Sequence, residues 1–243
     1  MQRDDVLTFV APDTGIRTSA LPLDFSVLIT DAIESPATFL LTLFVTRTIR
    51  HGRNVIMVGL GDTLDHYTAI CKKGGVQLQN EQKTGRFTFI DGVMTPVPLQ
   101  HLCDKIQLKL ESAEPGTVLV IDDVTNLLWS GNDVQQVVKV VGCLRALVAK
   151  HEASLIMLMH GDDISSNSDT PESFLFRRCL QFSDLWLRTT VLSSQTRGEL
   201  SIHRGPALVQ DLGIVDRSGS TALQYKLDET GPTFSIKGLG RMW

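Results

Sequence analysis

Two hydrophobic rhythms divide the chain near residue 182. Before it, short apolar runs alternate with stretches whose apolar residues recur every three or four positions. After it, only strand-like runs remain. SVLIT (26–30) reads as a strand. Ser35 and Pro36 then read as the N-cap and first residue of a helix that stops at Gly52. That helix carries Ala37, Phe39, Leu40, Leu41, Leu43, Phe44, Val45 and Ile49 on nearly every side. Such a helix is buried, or faces a sheet on one side and a partner on the other. VIMVGL (55–60) is a second strand, and Leu64, Tyr67, Ile70 and Cys71 mark a helix ending at Gly74-Gly75. RFTFID (86–91) alternates like a strand. Leu99, Leu102, Ile106 and Leu110 form another helical stripe. TVLVID (117–122) is apolar throughout, as in a central parallel strand. A valine-rich helix through Val134–Val148 follows, then the buried strand SLIMLMH (154–160) and a helix opened by Thr170-Pro171.

The second part holds SDLWLRTTVLS (183–193), GELSIHRG (198–205), ALQYKL (222–227) and TFSIKG (233–238), without helices between them. They predict an antiparallel meander. The fold class is therefore α/β, a mostly parallel mixed sheet with helices on both faces and an antiparallel C-terminal meander. Residues 1–24, with Pro12, Gly15 and Pro22, read as a loop-like N-terminal extension, and 25–243 as one domain. GDDISSNSDTPE (161–172) is a polar, acidic loop.

Composition narrows the class. The chain has 243 residues, 42% hydrophobic and 21% charged, which suits one medium-sized core. A net charge of −4 gives no global attraction for nucleic acid, though a local patch remains open. Cys71, Cys103, Cys143 and Cys179 lie far apart, without metal-ligand spacing or a disulfide framework, which fits a reducing compartment. The acids in MQRDDVLTFV do not fit a signal peptide, and the apolar run from Phe39 to Val45 is too short to cross a bilayer. The expectation is a soluble intracellular protein.

Chemistry is sparse. A strand–loop–helix at this place in an α/β fold is where phosphate-binding loops lie, with the pattern G-x-x-x-x-G-K-[ST]. Here Asp31 and Glu34 would repel a triphosphate, Pro36 lacks an N–H, and between Thr30 and Thr38 there is no glycine or lysine. Asp31, Glu34, Ser35 and Thr38 thus mark a degenerate phosphate-loop position. Asp122 and Asp123 end a buried strand as the magnesium-holding acid of a Walker B element does, though aspartate also commonly caps such a turn. VGLGD (58–62) hints at a dinucleotide turn but lacks the third glycine. No G-x-S-x-G occurs. Of six histidines, His160 at the end of a buried strand stands out, and a satisfied structural role is the plainer reading. Basic residues gather at Arg47, Arg50, His51 and Arg53, at Arg177, Arg178 and Arg188, and at Arg197, His203 and Arg204. Solvated surface is their ordinary role, and some could track phosphates.

The order of these elements resembles a RecA-like ATPase core that has lost its phosphate loop. Three stretches, GRNVIMVGLGDTLDHYTAICKKGGVQL, TVLVIDDVTNLL and LQYKLDETGPTFSIKG, resemble the Elongator subunit six family. The likeness is thinnest before residue 24 and in the 161–172 loop. It implies a RecA-like fold and a hetero-hexameric ring with subunits four and five, within the rest of the Elongator complex. It implies tRNA as partner, a part in wobble-uridine modification and ATP-dependent tRNA release, and no membrane. It implies a non-catalytic subunit, cytoplasmic with the nucleus as a second site. No metal or cofactor is expected, with ATP only at ring interfaces shared with partner subunits. Ser165, Ser166, Asn167, Ser168, Arg177 and Arg178 are the candidate RNA-facing residues. Two other readings stay open: a divergent ATPase using Asp122 or Asp123, and a Rossmann-like enzyme using VGLGD. The all-round apolar helix also predicts a lone chain that leaves apolar surface wet.

Overall fold

The computed structural model describes residues 7–11, 14–93, 98–161, 169–194, 196–229 and 231–237. Its strands are β1 (Phe9–Val10), β2 (Arg17–Thr18), β3 (Ser26–Asp31), β4 (Val55–Gly59), β5 (Phe87–Asp91), β6 (Val118–Asp122), β7 (Ser154–His160), β8 (Leu185–Ser194), β9 (Arg197–Arg204), β10 (Leu223–Asp228) and β11 (Gly231–Ile236). Its helices are α1 (Thr38–Arg50), α2 (Leu64–Lys73), α3 (Leu78–Lys83), α4 (Leu99–Glu111), α5 (Val124–Trp129), α6 (Val134–Lys150) and α7 (Pro171–Gln181). β3 to β11 form one sheet in the order β11-β10-β9-β8-β3-β7-β6-β4-β5. From β8 through β5 the pairings are parallel. From β8 outward they are antiparallel. β8 joins the two regimes, pairing parallel with β3 and antiparallel with β9.

Burial explains the unbroken apolar runs. Every residue of β3, β4 and β6 is buried, because helices cover both faces of the parallel part. Successive side chains then feed two cores. Val27, Ile29, Val118, Val120, Ile156 and Leu158 pack with α1 and α2. Leu28, Leu119, Ile121, Leu155 and Met157 pack with α4, α6 and α7 on the other side. The period of two that distributes side chains is invisible in runs apolar at every position.

The structure corrects three expectations and, at the second point below, decides between two readings. First, α1 begins at Thr38 with Ala37 as its N-cap, not at Ser35-Pro36, and no side chain caps it. Ser35 is buried and engaged elsewhere: Thr189 Oγ1 donates to its carbonyl at 2.7 Å. Second, α1 finds its cover within its own chain. Phe39 meets Tyr225 and Phe234 of the terminal hairpin, with ring centroids 4.8 and 6.5 Å apart. Ten of its residues, Thr42, Thr46, Arg47 and Thr48 among them, are buried within this one chain. Third, the segment before residue 24 is not merely a loop. It holds the β1–β2 pair, and Leu7, Phe9 and Leu21 enter the core beside α1. Fourth, α3 and α5, six residues each, interrupt stretches with no helical pattern to announce them.

Candidate functional site

β3, β7 and β6 are adjacent and parallel, so their carboxyl ends lie side by side. Each ends in a polar residue: Asp31, His160 and Asp122, with Asp123 following. The fold thereby gathers three carboxylates and one imidazole from segments far apart in sequence. Asp122 and Asp123 are 3% and 0% exposed, and Asp31 is 2% exposed. His160 Nδ1 contacts Asp31 Oδ1, and its Nε2 lies 3.0 Å from Asp123 Oδ2. The imidazole therefore bridges the phosphate-loop position and the Walker B-like position.

Surrounding groups fix the cluster. Asp123 N-caps α5, accepting from the Asn126 backbone N–H at 2.8 Å and from Asn126 Nδ2 at 3.0 Å. Tyr67 Oη of α2 donates to Asp122 Oδ2 at 2.6 Å. Thr125 Oγ1 accepts from the His160 backbone N–H at 2.8 Å, locking β7 to α5. Trp129, at the end of α5 and 56% exposed, stacks on the His160 ring with centroids 6.4 Å apart. Burial opposes charge on His160, but its hydrogen bonds with Asp123 and Asp31 prevail and push its pKa up to about 10. Burial pushes Asp122 up to about 7, against the hydrogen bond from Tyr67. Burial also raises Asp31 despite its contact with His160. Burial, then the neighbouring Asp122, raises the Tyr67 phenol.

This arrangement does not fit a magnesium nucleotide. Asp31 Oδ2 accepts the Ala37 N–H at 2.6 Å, so an internal carboxylate takes a donor at the start of α1 that a phosphate would need. Ser35 is tied to β8, Glu34 is exposed, and Thr38 lies inside the first turn of α1. The cation facing the acids is the chain's own imidazolium. VGLGD does not serve as a dinucleotide turn either. The N–H groups of Leu60 and Gly61 both donate to the Asp122 carbonyl, at 2.5 and 3.0 Å. Gly59 is required by packing, since a Cβ there would come within 2.5 Å of the Phe89 ring.

The basic residues are largely engaged. Arg47 donates to the Leu7 carbonyl at 2.9 Å and Arg53 to the Leu21 carbonyl at 2.6 Å. Arg50 reaches the Gly74 carbonyl, and His51 pairs with Ser19 Oγ at 2.9 Å. These four residues staple the N-terminal segment and the end of α2 to α1. Arg178 donates to Gln181 Oε1 and lies over the Phe174 ring at 5.3 Å, while Arg177 is half-buried on the same helix. Ser165, Ser166, Asn167 and Ser168 lie outside the described residues. Arg188 is exposed beside a cleft of about 550 Å³ between the β3–α1 loop and β8, which Asp31, Glu34, Ser35 and Trp186 also line.

Asp31, Asp122, Asp123 and His160 each stood out in the sequence, but nothing there placed them together. Tyr67, Thr125, Asn126 and Trp129 were missed. Tyr67 read as one more apolar position of α2, and α5 is too short to show which of its faces looks inward.

A family profile described as Elongation complex protein 6 matches residues 16–100. Elongator complex protein 6 of Xenopus laevis is 24% identical over 93% of this chain and 95% of its own. Its namesake in Homo sapiens is 24% identical over 87% and 90%. Among solved structures, a KaiC-like protein from Pyrococcus horikoshii superposes with a TM-score of 0.65, at 13% identity over 88% of this chain and 91% of that one. That likeness concerns the fold alone, and the fold is RecA-like. The matches along the sequence agree with one another: this chain is similar to Elongator complex protein 6 over most of its length, at 24% identity, and to the family profile over residues 16–100.

Proposed function

We propose that this chain is a non-catalytic RecA-like subunit of Elongator. In this reading it assembles with subunits four and five into a hetero-hexameric ring that binds tRNA and supports wobble-uridine modification. It works in the cytoplasm, with the nucleus as a second site. The observation that carries the non-catalytic part is the Asp31–Ala37 hydrogen bond together with the Asp31–His160–Asp123 bridge. A working phosphate loop leaves helix N–H groups free and supplies a lysine. Here an aspartate and a histidine of the same chain neutralise each other in that space. Such a subunit lends shape and contacts to a ring without turning over nucleotide in its own site. Any ATP used by the assembly binds in pockets that partner subunits complete.

Co-expression with subunits four and five, followed by native mass determination, tests the assembly. The expected species holds all three chains in equal number. A chain that stays apart from both partners overturns the reading. The second reading, a divergent ATPase, draws on the placement of Asp122 and Asp123 at the end of β6. Titrating the lone chain with ATP separates the two. The non-catalytic reading expects no saturable binding at micromolar ATP, whereas the ATPase reading expects binding that Asp122→Asn removes.

A further inference from the structure

The side of the cluster away from Asp31 has a second property, independent of nucleotide. One ring nitrogen of His160, one oxygen of Asp123 and one of Asp122 lie within 4.8 Å of one another. Tyr67 donates to Asp122 Oδ2, while Asp122 Oδ1 and Asp123 Oδ2 both lie near Gly61. The backbone of Gly61 passes over this spot. A Cβ at Gly61 would lie 3.2 Å from Asn126 Nδ2, 3.3 Å from Asp123 Oδ2 and 3.7 Å from Asp122 Oδ1. The missing side chain keeps clear the space into which both carboxylates point. Behind it, Asp31 holds the far nitrogen of the imidazole, the carboxylate–histidine arrangement that orients metal-binding histidines. His160 retains 29% side-chain exposure, which gives the spot a path to solvent.

We propose that Asp122 Oδ1, Asp123 Oδ2 and His160 Nε2 form a binding site for one divalent transition-metal ion, with zinc as the fitting ion and Asp31 as the orienting carboxylate. The ion takes the place of the proton between His160 Nε2 and Asp123, released to solvent on binding, and two carboxylates with a neutral imidazole are a donor set that suits a dication. His160 Nε2 and Asp123 Oδ2 are 3.0 Å apart in a direct ion pair, and two ligands on a tetrahedral zinc with bonds of about 2.0 to 2.2 Å stand about 3.3 to 3.6 Å apart, so a small parting of the two groups admits the ion. Asp122 must approach by a side-chain rotation. One imidazole nitrogen with two carboxylate oxygens favours zinc or manganese over magnesium and calcium, which take oxygen ligands. The ion would bind without phosphate and would tie β6, β7 and α5 together. The absence of metal-ligand spacing in the sequence is no obstacle, since these ligands come from two separate segments.

The test uses this chain, freed of metal with a chelator and titrated with zinc chloride by calorimetry. One zinc per chain is expected, with a dissociation constant in the micromolar range or tighter, unaffected by millimolar magnesium. Asp123→Asn and His160→Gln should each weaken binding at least tenfold, and Asp31→Asn by about ten- to a hundredfold, the usual effect of losing an orienting carboxylate. Circular dichroism checks that each variant is folded. Alkylating the exposed Cys143 should leave the affinity unchanged. A measurement on unaltered ligands stands beside these: cobalt(II) bound next to His160 should quench the emission of Trp129, stacked on that ring, and Trp129→Phe should abolish most of the quenching. The proposal is overturned by no saturable zinc binding, by displacement with millimolar magnesium, by full affinity in folded Asp123→Asn and His160→Gln, or by cobalt quenching that survives Trp129→Phe.

Discussion

His160 is a single side chain held by acids from two other segments, and its protonation should be felt in folding. The pKa rises from about 6.5 in the unfolded chain to about 10 in the fold. The folded state therefore binds this proton more tightly. The contribution is fully present below about pH 6.5 and is lost as pH rises through about 10. Asp122 acts in the same direction lower on the scale, since its carboxyl is raised from about 3.8 to about 7 and the folded state favours its protonated form. For chain kept in chelator, thermal unfolding should show a midpoint that falls between pH 6.5 and 10. His160→Gln should lower the midpoint at pH 6.5 and flatten that fall. Removing one partner of a buried ion pair costs about 3–5 kcal/mol, and the half-open position of His160 puts the loss at the lower end or below. A variant whose midpoint falls with pH as steeply as the parent would show that other groups carry the dependence.

At the scale of elements, α1 shows how its apolar character is used. Its residues face β4, β6 and β7 on one side, and the terminal hairpin, α2 and the N-terminal segment on the others. Arg47 completes the enclosure: buried, it donates to the carbonyl of Leu7 and so holds that segment down. Arg47→Ala should cost about 2–3 kcal/mol in urea unfolding, from a lost charge-assisted hydrogen bond and the void left by the stem. Limited proteolysis should at the same time cut sooner before residue 20. An unchanged cleavage pattern would show that Leu7, Phe9 and Leu21 hold the segment without the arginine. Elements with ten or more residues, or with continuous apolar runs, were legible in the sequence because periodicity needs length to appear. α3 and α5 span less than two turns and had none to offer. The start of α1 was misread because Ser35-Pro36 is a good local signal, and the tertiary bond from Thr189 and the reach of Asp31 to Ala37 override it. The cluster was not legible as a cluster. Asp31 and His160 are 129 residues apart, and only the order β3-β7-β6 makes them neighbours.

At the scale of the whole molecule, the question is where affinity for tRNA would come from. The net charge is −4, and phosphate binding needs lysines and arginines free to meet the backbone. The most concentrated basic group in the sequence, Arg47, Arg50, His51 and Arg53, instead bonds the chain's own carbonyls and Ser19. Arg145 pairs with Asp24, Arg204 with Asp216, and Lys237 with Glu199. Other exposed cations, Lys72, Lys73, Lys83, Lys105, Lys109, Lys139, Lys150, Arg188, Arg197 and Lys226, are spread over α2, α3, α4, α6, β8, β9 and β10 rather than gathered on one element. The lone chain should therefore bind tRNA negligibly in a mobility-shift assay at physiological salt. On the proposed function, a ring with subunits four and five should bind it with an affinity that falls steeply as salt rises, because counterions released by partner cations supply the free energy. The log–log salt slope of the ring should be unchanged when Arg177 and Arg178 are both replaced by alanine, if this subunit shapes the ring rather than charging it. A slope reduced by about two would assign both side chains to phosphate contacts, and strong salt-sensitive binding by the lone chain would place the basic face on this subunit after all.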